Sequence, residues 1–224
     1  TGQGGLDDAR RMAAVAAEAA GCGANEMLVC STGVIGRRLP MPVIEAGIRQ
    51  AATKLSGAAA ALDDVAHAIL TTDTGIKVSS RALSLSGGEV RITGFAKGAA
   101  MIGPNMATML AFVLTDAAVA PDELQVLARA AAEKSFNCVS VEGHTSTNDT
   151  LLLFANGAGP RLAGADLEAY RQGVTEVCGE LARAIAADAE GAEHLITIDV
   201  EGLRSDAEAR QVAKAVADSA LVKT

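Results

Sequence analysis

Six stretches of the chain are predicted to be helices, and in residues 41–55 and 165–187 the prediction rests on apolar residues that recur at helical spacing. The clearest predicts a long helix over residues 165–187, because its apolar side chains fall in one helical register. Further helices are predicted over 7–20, 41–55, 62–70 and 121–135. A final helix is predicted from Ser205, since Ser205-x-x-Glu208 matches a capping box. The register of the long helix contains Leu167, Tyr170, Val174, Val177, Leu181 and Ile185.

Short apolar runs bounded by turn residues predict strands between these helices. Residues 76–85 and 89–95 flank Gly87-Gly88, a pattern that indicates a β-hairpin. The mixture of hairpins and helices predicts an α/β (α+β) domain of layered elements, and the very apolar strands predict a sheet covered on both sides. The other predicted strands cover residues 26–31, 108–114, the start of the run 139–157, 151–154 and 194–203.

Composition narrows the classes of partner. Half of the 224 residues are apolar but only 2% are aromatic and none is Trp, so close packing of small side chains is expected. The net charge is −8 without a Lys/Arg run, which argues against nucleic acid and anionic membranes as partners. No apolar stretch reaches the length of a membrane span. The chain starts without Met and without an apolar leader, so it is expected to be a fragment or a processed piece.

Cysteine and histidine give little sign of a metal or redox site. Cys22, Cys30, Cys138 and Cys178 form no C-x-x-C pair and lie in apolar or Ala/Gly-rich surroundings. They are interpreted as small buried residues in a reducing compartment. The three histidines are far apart, and His67 is expected to be at least partly exposed on a short helix. Metal chemistry is therefore not predicted.

Hydroxyl residues cluster where predicted strands meet loops. Gly103-Pro104-Asn105 marks a turn, and Thr108 follows at the head of an apolar run. Thr108 either starts a strand as Thr often does, or is a nucleophile at the rim of the core. With Lys97 in a Gly-rich loop, the clusters predict a pocket of neutral donors that suits a zwitterionic substrate and acyl chemistry. The clusters are "STG" (31–33), "TTDT" (71–74), "MAT" (106–108) and "TSTNDT" (145–150).

Two other kinds of site receive less support from the sequence. A Ser/His/Asp triad lacks the G-x-S-x-G elbow, although His144 lies in a polar loop. The Gly-rich loops match neither the Walker pattern nor G-x-G-x-x-G. Their glycines either simply turn the chain or, in the case of Gly33, expose an N–H to a developing oxyanion.

Several longer motifs, taken together, resemble one family. They occur in order along the whole chain and resemble the ornithine acetyltransferase (glutamate N-acetyltransferase) family of arginine biosynthesis. The resemblance implies a layered α/β sandwich of the self-cleaving, N-terminal-nucleophile type. The motifs are "STGVIGRRLPM", "TTDT", "GFAKGAAMIGPNMATML", "SFNCVSVEGHTSTNDTLLLFANG" and "ADAEGAEHLI".

Members of this family cut themselves before a Thr, which then becomes the nucleophile. The resemblance implies a cut between Ala107 and Thr108. Residues 1–107 would belong to the N-terminal product, which contributes the oxyanion hole, and residues 108–224 would belong to the C-terminal product. Both would form one site. The resemblance assigns the oxyanion hole to Thr32 and Gly33.

The implied reaction passes acetyl from N2-acetyl-L-ornithine through acetyl-threonine to L-glutamate. The substrate contacts implied are Thr71, with Thr72 as a rival, Lys97, Thr108 and Glu190. Lys97 would meet a carboxylate and Glu190 an ammonium group, unless each is only a surface salt bridge or a helix-end charge. No cofactor or metal is implied, and acetyl-CoA is a further candidate donor. The products are expected to assemble as a heterotetramer or larger oligomer in the cytoplasm.

Departures from the family pattern leave alternatives open. Family members have segments before and after the matched region, including a C-terminal Asn and hydroxyl residue that touch substrate. Gly143-His144 stands where an acidic residue is commoner, and Ala189 replaces a usual Gly. A related self-cleaving aminopeptidase or amidohydrolase, passing the acyl group to water, is the rival enzyme. A non-catalytic fragment is the third hypothesis.

Overall fold

A computed structural model describes residues 2–34, 36–100, 109–141, 143–144 and 146–223. The chain divides into two compact units, Thr1–Val65 and Ala66–Thr224. This division differs from the implied cut before Thr108, because compactness and the position of a peptide cut are separate properties. The assignment of 1–107 and 108–224 to two cleavage products stays a prediction.

The first unit is helical. Helix α1 spans Gly2–Ala20, a short 3-10 helix spans Ala24–Glu26, and α2 spans Met41–Ala52. Arg11 Nη2 on α1 lies 2.6 Å from a carboxylate oxygen of Glu45 on α2. Helix α3, Ala59–Ala68, begins in this unit and ends in the next. Helices α1, α2 and α3 were predicted, with ends that differ by up to five residues, whereas the 3-10 helix was not.

The second unit is built on one four-stranded mixed sheet. The strands are β1 (Lys77–Leu85), β2 (Gly88–Lys97), β3 (Leu110–Thr115) and β4 (Thr150–Ala155), in the order β1-β2-β3-β4. The predicted hairpin is confirmed, since β1 and β2 pair antiparallel around Ser86 and Gly87. Strand β3 pairs antiparallel with β2 and parallel with β4.

Helices cover one face of this sheet. Helix α4 spans Pro121–Lys134 and α5 spans Gly164–Ala187; α5 packs on β1 and β2, and α4 packs on α5 and β4. The predicted stripe of α5 is confirmed, with Leu167 partly buried and the other five residues fully buried in the core. The α/β class is confirmed by this mixed sheet with its helical cover. Helices α6 (Asp206–Ala217) and α7 (Ala220–Lys223) follow, and the Ser205 hydroxyl caps α6 by accepting from Glu208 N–H at 3.3 Å.

The opposite face of the sheet is covered only in part by the described residues. Phe95 is buried and stacks on Phe112, with ring centroids 4.8 Å apart. On the same face, Val78, Leu114 and Phe154 are about two-fifths exposed. The predicted cover is therefore confirmed on one face of the sheet, where α4 and α5 pack. On the other face the described residues cover the sheet only in part.

Small side chains allow α5 to approach the sheet closely. A Cβ added at Gly94 of β2 would lie 2.8 Å from methyl groups of Val177 and Leu181. A Cβ at Gly173 of α5 would lie 2.9 Å from Leu83 on β1. Both distances are shorter than side-chain contacts allow, so glycine sets the spacing of helix and sheet here.

Two predicted strands are wrong, and so is the strand predicted at the start of residues 139–157, because residues 139–141 have no regular secondary structure. Residues 27–32 and 192–201 have no regular secondary structure, and the apolar side chains of Leu28, Leu195 and Ile196 are about half exposed or more. A strand needs a neighbour for its backbone hydrogen bonds. Neither run pairs with a strand in the described part of the chain. A short apolar run alone is therefore not sufficient to predict a strand.

The cysteine prediction is largely wrong as well. Cys178 is buried in the core, as expected, and burial raises the pKa of its thiol to about 12. Cys22 and Cys138 are exposed, and Cys30 is half-buried. All four are free thiols. His67 is exposed, as predicted.

Candidate functional site

The hairpin brings two lysines to one end of the sheet. Lys77 is the first residue of β1 and Lys97 is the last residue of β2, and Lys77 pairs with Ala96 in the antiparallel register. Both side chains are buried, at 3% and 2% exposure. Burying two ammonium groups is costly unless each finds polar partners, so the loops around this end of the sheet must supply them.

Asp73 of "TTDT" is the first of these partners. Its buried carboxylate accepts from Lys77 Nζ at 2.8 Å and from Gly98 N–H at 2.6 Å through Oδ1. Its other oxygen accepts from Thr71 N–H at 3.3 Å and lies 3.6 Å from Lys97 Nζ. Asp73 therefore links the loop before β1 to the start of the Gly-rich loop after β2.

Asp188, at the carboxyl end of α5, is the second partner. It accepts from Lys77 Nζ at 2.5 Å and from Thr74 N–H at 3.0 Å, and it also accepts from the Thr74 hydroxyl. Two residues later, Glu190 N–H donates to Ala99 O at 2.6 Å. The "ADAEG" segment is thus joined to both the "TTDT" loop and the Gly-rich loop.

Hydrogen bonds keep both aspartates ionised. Burial alone would raise the pKa of Asp73, but hydrogen bonds from Lys77, Gly98 and Thr71 outweigh it and hold that pKa below its ordinary value. Burial also raises the pKa of Asp188, but the hydrogen bonds from Lys77 and Thr74 outweigh this effect and hold that pKa below its ordinary value. The cluster therefore contains two carboxylates and two ammonium groups.

Among the described residues, Lys97 has fewer charged partners than Lys77. Its Nζ donates to Thr71 Oγ1 at 2.6 Å, which brings together two of the predicted substrate contacts. Thr71 is exposed, so the Lys97 ammonium lies one side chain below the surface. Thr72, the rival of Thr71, is also exposed, and Glu190 is exposed beside the same loops.

The "TSTNDT" segment contacts the residue that precedes β3. Asp149 Oδ1 accepts from Met109 N–H at 2.9 Å, and Thr150 N–H donates to Met109 O at 3.1 Å. Both backbone groups of Met109 are therefore fixed by the start of β4. Burial raises the pKa of Asp149 from 3.8 to about 6, although the bond from Met109 opposes this shift.

The remaining predicted residues are placed as follows. Thr32 is half-buried and Gly33 is exposed, with a φ of +156°, in the irregular segment of the first unit. Ala107 and Thr108 lie outside the described residues. In the described part, no group of three or more His, Cys, Asp or Glu side chains is arranged to hold a metal. None of its helices is both long enough and apolar enough to cross a membrane.

Comparison with known proteins identifies the family. The profile of the ArgJ family matches residues 1–224. The chain belongs to the ArgJ family. It is 48% identical over 228 residues to the arginine biosynthesis bifunctional protein ArgJ of Geobacter sulfurreducens, covering 100% of this chain and 58% of that protein. It is 44% identical to the mitochondrial ArgJ of Schizosaccharomyces japonicus, again over 100% of this chain and 53% of the relative.

A solved ArgJ structure is also similar. The crystal structure of the Bacillus halodurans ArgJ is 43% identical, with a TM-score of 0.44 over 49% of this chain and 55% of that one. The ArgJ-family chain described here spans a little over half the length of the curated relatives it matches.

Four residues of this candidate site were not predicted from the sequence. In "TTDT" the sequence pattern indicates the hydroxyl groups, whereas in the structure the carboxylate of Asp73 accepts most of the hydrogen bonds. Lys77, Asp188 and Asp149 were also passed over. Lys77 follows Asp73 by four residues, and Asp188 and Asp149 lie inside the quoted family motifs, which is the signal that could have found them.

Proposed function

We propose that the protein containing this chain transfers an acetyl group from N2-acetyl-L-ornithine to L-glutamate in arginine biosynthesis. Membership of the ArgJ family supports the assignment. The observation that carries it in the structure is the buried Lys97 ammonium, which is hydrogen-bonded to the hydroxyl of the exposed Thr71. This pair suits the carboxylate of an amino-acid substrate.

The nucleophile of the proposed reaction is Thr108, generated by self-cleavage. The Thr108 hydroxyl attacks the Ala107 carbonyl, and the peptide nitrogen leaves as the α-amine of Thr108. Water then hydrolyses the resulting ester and frees both the hydroxyl and the carboxyl terminus of Ala107. Asp149 supports this step by holding Met109 N–H, which belongs to the peptide bond that follows Thr108.

Acetyl transfer uses the freed α-amine as its base. Such an amine has an ordinary pKa of about 8, so it accepts the hydroxyl proton near neutral pH. The Thr108 oxygen attacks the acetyl carbonyl, and Thr32 and Gly33 stabilise the oxyanion. Ornithine leaves with the proton on its amine, and the glutamate amine then attacks acetyl-threonine. The acyl energy is conserved, so no ATP is needed.

The substrate contacts follow the cluster at the end of the sheet. Lys97 and Thr71 bind the α-carboxylate, and Thr71 is preferred to Thr72 because it contacts Lys97 directly. Glu190 meets the substrate ammonium group. Its loop is held by the bond from Glu190 N–H to Ala99 O, which keeps it beside the Gly-rich loop that follows Lys97.

The proposal also covers a second acetyl donor, the assembly of the protein and its location. Acetyl-CoA is a second candidate donor, since it offers the same acetyl carbonyl to Thr108. The two cleavage products assemble as a heterotetramer or larger oligomer and act in the cytoplasm on small amino-acid substrates. No metal or cofactor takes part.

Isotope exchange tests the reaction class. The full-length gene product is incubated with N-acetylornithine and labelled ornithine, without glutamate. Label is expected to enter N-acetylornithine, because an acetyl-enzyme forms reversibly in a ping-pong route. Release of acetate without exchange would instead identify a hydrolase and overturn the proposal. Replacing N-acetylornithine with acetyl-CoA, with glutamate as acceptor, tests the second donor.

A further inference from the structure

The two buried lysines of the cluster are unequally paired. Lys77 Nζ donates to both carboxylates, Asp73 at 2.8 Å and Asp188 at 2.5 Å. Lys97 Nζ donates to the neutral hydroxyl of Thr71, and its nearest carboxylate oxygen, on Asp73, lies at 3.6 Å. That separation is beyond a good hydrogen bond, so among the described residues Lys97 has only a longer ion pair with a carboxylate that Lys77 also contacts.

Asp73 is not free to form a shorter bond with Lys97, because both of its carboxylate oxygens already accept hydrogen bonds from other groups. Oδ1 accepts from both Lys77 and Gly98 N–H, and Oδ2 accepts from Thr71 N–H. Asp188 is likewise held by Lys77 and Thr74. The backbone bonds fix both carboxylates in place, and Lys77 supplies the opposite charge that each requires.

We infer that Lys77 is a positioning residue for the substrate carboxylate: by pairing with Asp73 and Asp188 it leaves the Lys97 ammonium available to an anionic ligand. The inference rests on the proposed role of Lys97 in binding a carboxylate. Without Lys77, two carboxylates would face one ammonium group. Asp73 would then draw Lys97 toward itself, and the excess negative charge would repel the substrate.

The test compares substrates with and without the carboxylate, using the full-length gene product. In Lys77→Met, the KM for N-acetylornithine is expected to rise about tenfold, because the excess negative charge of the cluster weakens binding of the carboxylate. Its kcat should change little, and the KM for N-acetylornithine amide should stay at the wild-type value. Lys77→Arg, which keeps the charge, is the conservative control and should restore most of the affinity.

A charge-balanced double variant makes the test independent of folding defects. Lys77→Met with Asp73→Asn leaves one carboxylate, Asp188, and one ammonium group, and it removes the carboxylate that would otherwise draw Lys97 toward itself. Its KM for N-acetylornithine is expected to return close to wild type, even where Lys77→Met alone folds poorly. A KM in the double variant as high as in Lys97→Ala would overturn the inference, as would an equal rise for the acid and the amide.

The same measurements separate this inference from the proposed function. If Lys97→Ala leaves the KM for N-acetylornithine unchanged, the carboxylate site itself is wrong. If Lys97→Ala raises that KM and Lys77→Met does not, only the role of Lys77 is wrong. Thermal unfolding of each variant shows whether a fall in kcat reflects loss of folded protein.

Discussion

The proposed chemistry depends on Thr108 more than on any other residue. Thr108→Ala is expected to abolish self-cleavage and to lower acetyl transfer by more than about a thousandfold, because no other group replaces the nucleophile. Thr108→Ser keeps a hydroxyl and should retain part of both activities. Gel analysis and the exchange assay measure the two separately. Full transfer activity in the Ala variant would remove the nucleophile assignment.

Asp149 gives a prediction about pH. Its folded-state pKa, about 6, is raised above the ordinary 3.8, so the folded protein holds this proton more tightly than the unfolded chain does. The carboxylate therefore lowers stability as pH rises from about 4 to about 6, and the loss persists above that range. Asp149→Asn keeps an oxygen acceptor for Met109 N–H and removes the charge.

The Asn variant should consequently melt a few degrees above wild type at pH 7 and close to wild type at pH 4. Thermal unfolding of both proteins across this pH range measures the difference. A gap that is independent of pH, or a wild type that is more stable than the variant at pH 7, would contradict the shifted pKa.

The sequence predicted some site residues but not how they are supported. Resemblance supplied Thr71 and Lys97, and the structure brings them into contact. It did not supply Asp73, Lys77 or Asp188, whose roles arise only when the hairpin, its preceding loop and the end of α5 meet. Lys77 and Asp188 are 111 positions apart, so no local pattern contains information about their contact, whereas Lys77 lies only four residues after Asp73.

Among the elements, those with local signals were predictable. The apolar register of α5 and the turn residues of the β1–β2 hairpin each specify a structure within a short window. The runs at 26–31 and 194–203 also looked like strands, but a strand depends on a distant partner that the run itself does not encode. Strand β4 was predictable as a strand, whereas its parallel pairing with β3 was not.

Packing of α5 on the sheet gives a prediction about stability. Gly94→Ala would place a methyl group 2.8 Å from Val177 and Leu181, so the helix or these side chains must shift. Overpacking of this kind costs about 2 kcal/mol. Chemical unfolding should show the loss as a lower free energy of unfolding.

Gly179→Ala, on the helix α5 that packs against Gly94, is the control. A Cβ there meets no heavy atom within 4 Å, and alanine is favoured over glycine in a helix by about 0.8 kcal/mol. Its free energy of unfolding should therefore equal or exceed that of wild type. Equal losses in the two variants would contradict the close approach of α5 to β2.

At the scale of the whole molecule, the family was predictable and the arrangement of the chain was not. Motifs spread from "STG" to "ADAEG" specified the ArgJ family, because together they constrain both the chemistry and its order along the chain. The division into two compact units after Val65 was not predicted from any sequence motif. Many contacts join the two sides of the proposed cut, because β2, which precedes the cut, pairs with β3, which follows it.

This pairing bears on what cleavage does to the protein. Residues 92–97 of β2 lie before the proposed cut and pair with Leu110–Thr115 of β3 after it. The two products would therefore remain associated through a shared sheet and the core beneath it. The proposed cleavage would change the chemistry of one residue without requiring the two parts of the fold to separate.

Intact-mass and fragment analysis of the purified full-length protein, before and after exposure to N-acetylornithine, tests the central claim most directly. Two fragments are predicted, with the second beginning at Thr108. The second fragment should gain the mass of one acetyl group at that residue when glutamate is withheld, and should lose it when glutamate is added. An active protein that stays uncut, or an acetyl group located on another residue, would contradict the account.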